Sequence, residues 1–206
     1  MSLTPFADQD ATGRRVLSAA LRLFVEKGYF NTSVADIVRA SGVSTGAIYH
    51  RFGDKQHLAE TLLDSLMRGI ENQFATLLTG DSDPLTRIRA LIRLMLQQAE
   101  ADPQMVTFIL YARHREFLPE HPPICALRPF ELMRDLVTEA QRASLLPDLD
   151  PLVLSAQVFG PTLRLIQARI DGVLPRPLPD YEADLLRALD YLMQEGDRNH
   201  AAAAMA

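Results

Sequence analysis

Residues 28–58 read GYFNTSVADIVRASGVSTGAIYHRFGDKQHL, and this stretch decides the fold. Ser33 with Asp36 three residues on is a helix start: the hydroxyl and the carboxylate can each accept from a backbone amide left open by the first turn. The spacing predicts a short helix from there to about Ala40, with Val34, Ile37 and Val38 on its apolar face. Ser41-Gly42-Val43 makes a tight turn, and Ser44 is suited to cap another short helix through about His50. Upstream, Val16, Leu17, Ala20, Leu21, Phe24 and Val25 recur at helical spacing, and Lys27-Gly28 closes that helix with a basic last turn and a glycine. Three helices with a Ser-Gly-Val turn before the third are the pattern of a helix-turn-helix. Gly42 serves the turn, while Ile37, Val38, Val43 and Ile48 lock the second helix to the third. Ser44, Thr45, Gly46, Tyr49 and His50 are left as a small, polar, exposed face. Gly46 and Ala47 put no bulk between that face and a groove.

The quoted string resembles the DNA-binding domain of the tetracycline-repressor (TetR) family of transcriptional regulators, over about Arg14 to Leu63. The pattern comprises Gly28-Tyr29, Thr32-Ser33, Ile37, Gly42-Val43-Ser44, Gly46, Tyr49, Phe52 and Lys55, each at the family spacing. Val38 stands where alanine is usual and Arg51 where an aromatic residue or histidine is common. The resemblance implies that Thr32, Tyr49, His50 and Lys55 touch phosphates, contacts that set register and carry little sequence information. Base readout then falls to Ser44, Thr45 and the backbone of Gly46 in the major groove. Thr45 leads, because its hydroxyl meets several base edges and its methyl meets thymine. Arg14 and Arg15 fit either a phosphate or minor-groove contact or a solvated helix start.

Outside this stretch the periodicity stays helical. Leu58, Leu62, Leu66, Ile70, Phe74 and Leu77 mark a long helix from near Lys55 to Leu78. Asp83-Pro84, Asp102-Pro103 and Asp150-Pro151 each place a capping carboxylate before a proline at the first helical position. They open helices ending near Ala101, Phe117 and Asp171, and another runs from about Ile124 to Ala143. Asp180 is expected to cap a last helix to about Glu195. The expected fold is all-α with about nine helices. A helix-turn-helix domain over 11–56 precedes a helical ligand-binding and dimerisation domain over 57–196, and 197–206 are expected to form a disordered tail.

Composition bounds the chemistry. The chain has 206 residues, 48% of them hydrophobic, with 26 acidic and 21 basic side chains and a formal charge of −5. Charge is uneven: residues 11–60 carry seven basic and four acidic groups, whereas 61–206 carry fourteen and twenty. A basic reader on an acidic body is the asymmetry of a nucleic-acid module fused to something else. The single Cys125 excludes a disulfide framework and any multi-cysteine metal site. No run of eighteen apolar residues and no secretory signal is visible, so a cytoplasmic protein without a membrane span is expected. There is no nucleophile elbow, phosphate loop, dinucleotide fingerprint or paired-histidine metal motif, so no catalytic residue, metal or cofactor is expected.

In the body, the segment from Pro151 to Asp171 is apolar nearly all round, and Leu185, Leu186, Leu189, Leu192 and Met193 stripe the last helix. TetR-like proteins pair through their last two long helices, so a homodimer on a near-palindromic double-stranded DNA operator is implied. The family also encloses a small-molecule effector pocket. Met95, Phe108, Tyr111, Phe130, Met133 and Phe159 are its candidate lining, and Arg164 its candidate polar contact. Plain core is the competing role of each apolar residue. Arg113, His114 and Arg115 suit either a ligand carboxylate or a solvated face. The implied function is a ligand-responsive regulator, most often a repressor in this family; a TetR-like activator and a helical adaptor are the alternatives.

Overall fold

Asp10 starts the first helix by accepting the Gly13 amide at 2.7 Å through its carboxylate, and α1 then spans Ala11–Lys27. The computed structural model describes residues 6–79 and 83–191. Among these lie ten α-helices and no strand: α1, α2 (Val34–Ser41), α3 (Thr45–Phe52), α4 (Lys55–Leu78), α5 (Pro84–Ala101), α6 (Pro103–Tyr111), α7 (His114–Phe117), α8 (Arg128–Arg142), α9 (Pro151–Ile170) and α10 over 182–191. The all-α expectation holds, and the caps are where the sequence put them. Asp83, Asp102 and Asp150 each accept backbone amides of the helix that follows.

Three boundaries differ from the sequence reading. The expected single helix from Asp102 to Phe117 breaks at Ala112, whose extended backbone turns the chain before α7. His114 makes that break: its Nε2 lies 2.9 Å from the Phe108 carbonyl oxygen, an acceptor at the end of α6. Residues Ile124–Ala126 form a 3-10 turn, and α8 starts only at Arg128. Asp180 sits inside the 3-10 turn Leu178–Tyr181 that precedes α10. Leu192, Met193 and the expected tail at 197–206 lie outside the described residues.

The chain divides into two compact units, Met1–Gln73 with Asp102–Pro129 and Phe74–Ala101 with Phe130–Ala206. One junction between these units falls within α4, and the segment carrying α6 and α7 groups with the helix-turn-helix. In the first unit Val16, Leu17, Ala20, Ile37, Leu58, Leu62, Leu63 and Leu66 are fully buried, so α1 packs on α2 and on the start of α4 through aliphatic side chains. In the second, Ile88, Leu91, Ile92, Leu96, Val137, Phe159 and Ile166 form the core. The Glu100 carboxylate gathers its parts, accepting from Arg169 Nη2 at 2.8 Å, Arg169 Nε at 3.1 Å and the Leu178 amide at 2.9 Å. That bidentate pair and the amide join α5, α9 and the turn before α10 at one group. Among the described residues, no helix is long and apolar enough to cross a membrane.

Candidate nucleic-acid interface

The short second helix stands because its ends are closed. The Ser33 hydroxyl accepts the Asp36 amide at 3.1 Å and the Asp36 carboxylate accepts the Ser33 amide at 2.9 Å, a complete capping box. The Ser33 hydroxyl, donating at 2.6 Å, and the Ser33 amide together hold the Asp36 carboxyl at a pKa of about 2. At the other end Gly42 adopts the left-handed conformation, φ 65°, and its amide donates to the Val38 carbonyl. A side chain there would strain the backbone and meet the Arg15 guanidinium, which donates to the Ser41 carbonyl at 2.7 Å. Arg15 thus braces the turn from outside, a structural contact that neither of its sequence readings included.

The third helix is locked by Ile48 and Phe52, which are buried together with Val43 and Ile37. Its N-terminus is capped by Ser44, whose hydroxyl accepts the Ala47 amide at 3.3 Å. This inward anchoring leaves Ser44, Thr45, Gly46, Ala47, Tyr49 and His50 exposed, as the sequence pattern requires. A methyl group added at Gly46 would meet nothing within 4 Å. The strip therefore offers hydroxyls, one aromatic phenol and one imidazole on a rigid helix with open space in front of it, which suits the width of a major groove.

The Thr32 side chain faces inward, and Lys55 divides its donors. Thr32 is 1% exposed, and its hydroxyl donates to the Gly28 carbonyl at 2.9 Å and the Leu23 carbonyl at 3.2 Å. The inward placement has a simple cause: at the end of the loop after α1, these carbonyls point into the protein and need a donor. Lys55 is half-buried, with Nζ 3.0 Å from both the Tyr29 and the Thr32 carbonyl oxygens and 4.1 Å from the centre of the Tyr29 ring. Burial lowers its pKa. Two of its three N–H donors hold the α1–α2 loop, so only the third remains for a phosphate. Arg51, at the surface, bonds Asp10 Oδ2 at 2.8 Å and Gln9 Oε1 at 3.2 Å.

Tyr29 belongs to the sequence pattern, but its bridging role does not show there. Its carbonyl receives Lys55 and its ring stacks on Phe117 with centroids 4.2 Å apart, linking the α1–α2 loop to α7. The Gly-aromatic pair before the capping threonine was the available signal.

This geometry is matched by known proteins. Residues 16–62 fit the family model described as bacterial regulatory proteins, tetR family. These residues form a domain of the tetR type. It is 35% identical over 74 residues to the HTH-type transcriptional regulator HbdR of an Aromatoleum species, covering 36% of this chain and 32% of HbdR. It is 34% identical over 92 residues to the HTH-type transcriptional regulator TtgR of Pseudomonas putida, 44% of each chain. The matches thus span about a third to under half of these curated TetR relatives. Over more of the chain, the structure resembles the transcriptional regulator FadR from Bacillus subtilis in complex with stearoyl-CoA: TM-score 0.72, 17% identity, 85% of this chain and 96% of the other. That likeness shows a shared TetR-like fold, an N-terminal helix-turn-helix followed by a helical body.

The expected effector residues are distributed over both units. Phe108 belongs to the core of the first, stacked on Phe24 at 6.2 Å and edge-on to His114 at 5.0 Å, and Tyr111 is exposed beside it. In the second unit Met133 and Phe159 are buried, while Met95 and Phe130 are half-buried. Arg164 is exposed, so the structure does not place it as an interior contact: on α9 it shares the outer face with Ala156, Gly160 and Pro161.

Proposed function

We propose that this chain is a ligand-responsive transcriptional regulator of the TetR type that binds a near-palindromic double-stranded DNA operator as a homodimer and represses until a small, largely apolar effector releases it. The observation that carries the reading is the exposed Ser44–Thr45–Gly46–Tyr49–His50 strip on a helix anchored by Ile48 and Phe52. Ser44, Thr45 and the Gly46 backbone read base edges, and Tyr49 and His50 contact phosphates. Lys55 contributes one donor to the backbone while holding the loop. Thr32 acts behind this surface, by fastening the loop that sets α2.

Pairing through the last two long helices is supported by their outer surface. Leu152 and Val153 on α9 are 63% and 51% exposed, and Tyr191 on α10 is 65% exposed. Large apolar side chains left in water on both helices suit a surface that another protein covers. Two modules in one dimer then meet half-sites about 34–36 Å apart, or a multiple of that spacing. Met95, Phe130, Met133 and Phe159 remain the proposed effector lining in the body, and stearoyl-CoA, the ligand of the FadR neighbour, is the first compound to test. The protein acts in the cytoplasm, on DNA, without catalysis.

The test is fluorescence anisotropy with duplex DNA flanking its own gene, in the presence and absence of excess nonspecific competitor. Retention under competitor, lost when Thr45 is changed to alanine, is the expected result. Binding to no DNA removes the reading and favours an adaptor that uses the same helices for protein contacts.

A further inference from the structure

The first unit carries a feature that the DNA-facing strip does not use. A cleft of about 290 Å³ opens between the last turn of α1, the α1–α2 loop and the α6–α7 segment. Rings of Phe24, Tyr29, Phe30, Phe108, Tyr111 and Phe117 form most of its wall. Arg113 and Glu116 stand at its edge, 3.0 Å apart, with side chains 81% and 47% exposed. Such a volume sits at the lower end of the roughly 300–1,000 Å³ of ordinary ligand sites, and aromatic walls with few polar groups are their usual lining.

Folding leaves part of this wall in water. Phe30 is 63% exposed and Tyr111 38%, although Phe30 lies edge-on to both Tyr29 and Phe117 at centroid distances of 5.2 and 6.5 Å. The edge contacts hold the Phe30 ring in place and leave ring surface open. Charge then selects the occupant. The Arg113 guanidinium has more donors than its contact with Glu116 uses, and the Lys55 ammonium stands 4.1 Å from the Tyr29 ring. Among the charged groups lining the cleft Arg113 meets only Glu116, and the donors of its planar fork that Glu116 does not use fit a carboxylate.

We propose that this cleft binds a small flat aromatic carboxylate, with its ring against Phe30 and Tyr111 and its carboxylate on Arg113. Gly28 and Tyr29 line the cleft, and their carbonyls hold Thr32 and Lys55. An occupant therefore bears directly on the loop that sets α2, so the site regulates the reader from within its own unit. This regulatory consequence rests on the DNA-binding reading; the binding itself does not.

The experiment is isothermal titration calorimetry of the full chain with 2-naphthoate, the neutral naphthalene-2-carboxamide and the cationic 2-naphthylmethylamine. Naphthoate is expected to bind about tenfold or more tightly than the carboxamide, with the amine weakest. Phe30→Ala, at an exposed position that folding does not need, lowers naphthoate affinity about tenfold. Arg113→Gln brings naphthoate to the level of the carboxamide; the exposed ion pair lost with it contributes little to folding. Equal affinity for naphthoate and carboxamide overturns the proposal, as does naphthoate binding that neither variant weakens. The titration contains no DNA, so its failure leaves operator binding standing, and absent operator binding leaves the cleft standing.

Discussion

Replacing Thr32 by valine separates the two roles a threonine at this position can play. Valine keeps the shape and removes only the hydroxyl, which is 1% exposed and donates to the Gly28 carbonyl at 2.9 Å and the Leu23 carbonyl at 3.2 Å. A typical hydrogen bond contributes about 0.5–1.5 kcal/mol net, and leaving its buried partner unpaired costs about 1–3 kcal/mol. Water reaches part of the Gly28 side of the loop, so the expected loss is about 1–2 kcal/mol, a factor of roughly 5–30 in the local opening equilibrium. Amide hydrogen exchange over residues 23–41 should accelerate by that factor, while exchange in α9 stays unchanged. In a salt series on operator DNA, Thr32→Val should bind more weakly at every salt concentration with the slope of log K against log salt preserved. A phosphate contact gives the opposite pattern, unchanged exchange and a shallower slope by about 0.9 for each neutralised phosphate lost. That second pattern refutes the placement of Thr32 behind the surface.

Gly46→Ala should raise the unfolding free energy by about 0.5–1 kcal/mol, since the added methyl meets nothing within 4 Å, yet lower operator affinity by filling the space in front of α3; thermal unfolding and anisotropy measure the two effects. His114 is buried, and burial lowers its pKa from an ordinary value near 6.5, so the unfolded chain takes up the proton first. Its contribution is therefore complete above about pH 6.5 and declines as pH falls from there toward the folded-state value; His114→Phe should flatten that limb of a urea-midpoint profile. Leu152→Glu puts a charge on the exposed outer face of α9 and, if the proposed pairing holds, gives a monomer in light scattering where the parent chain gives a dimer, with helix content intact.

The reader was legible because its signals are local. Capping pairs three residues apart, a glycine at the turn and apolar side chains at helical spacing act within one or two turns of chain, and the structure returns each of them at Ser33, Gly42, Ser44 and Ile48. The break between α6 and α7 was not legible, because Arg113-His114-Arg115-Glu116 reads as a solvated helical run. The cause of the break is a histidine ring folding back six residues to a carbonyl, in a site lined by Phe108 and Phe117. The inward contacts of Thr32 and Lys55 were hidden for a related reason. The resemblance implies phosphate contacts for both, but only tertiary structure shows that the carbonyls of residues 28, 29 and 32 turn toward them.

The charge asymmetry that first suggested a nucleic-acid module also changes meaning once partners are known. Of the seven basic groups in residues 11–60, six have partners inside the unit: Arg14 with the Gln9 carbonyl, Arg15 with Ser41, Arg22 with Glu26, Arg39 with Asp36, Arg51 with Asp10, and Lys55 with Tyr29 and Thr32. The positive charge is spent first on assembling the reader: bracing the turn, closing the start of α1 and clamping the loop before α2. A count of basic residues therefore overstates the number of phosphates the module can neutralise, and counterion release scales with that number, not with net charge. The exposed face of α3 itself is a strip of hydroxyl, glycine, phenol and imidazole groups, which suits close approach to base edges. A reader of this composition depends on having its recognition helix held at the right angle. The contacts of Arg15, Thr32 and Lys55 with backbone carbonyls supply that hold, so residues behind the surface determine how well those on it can read.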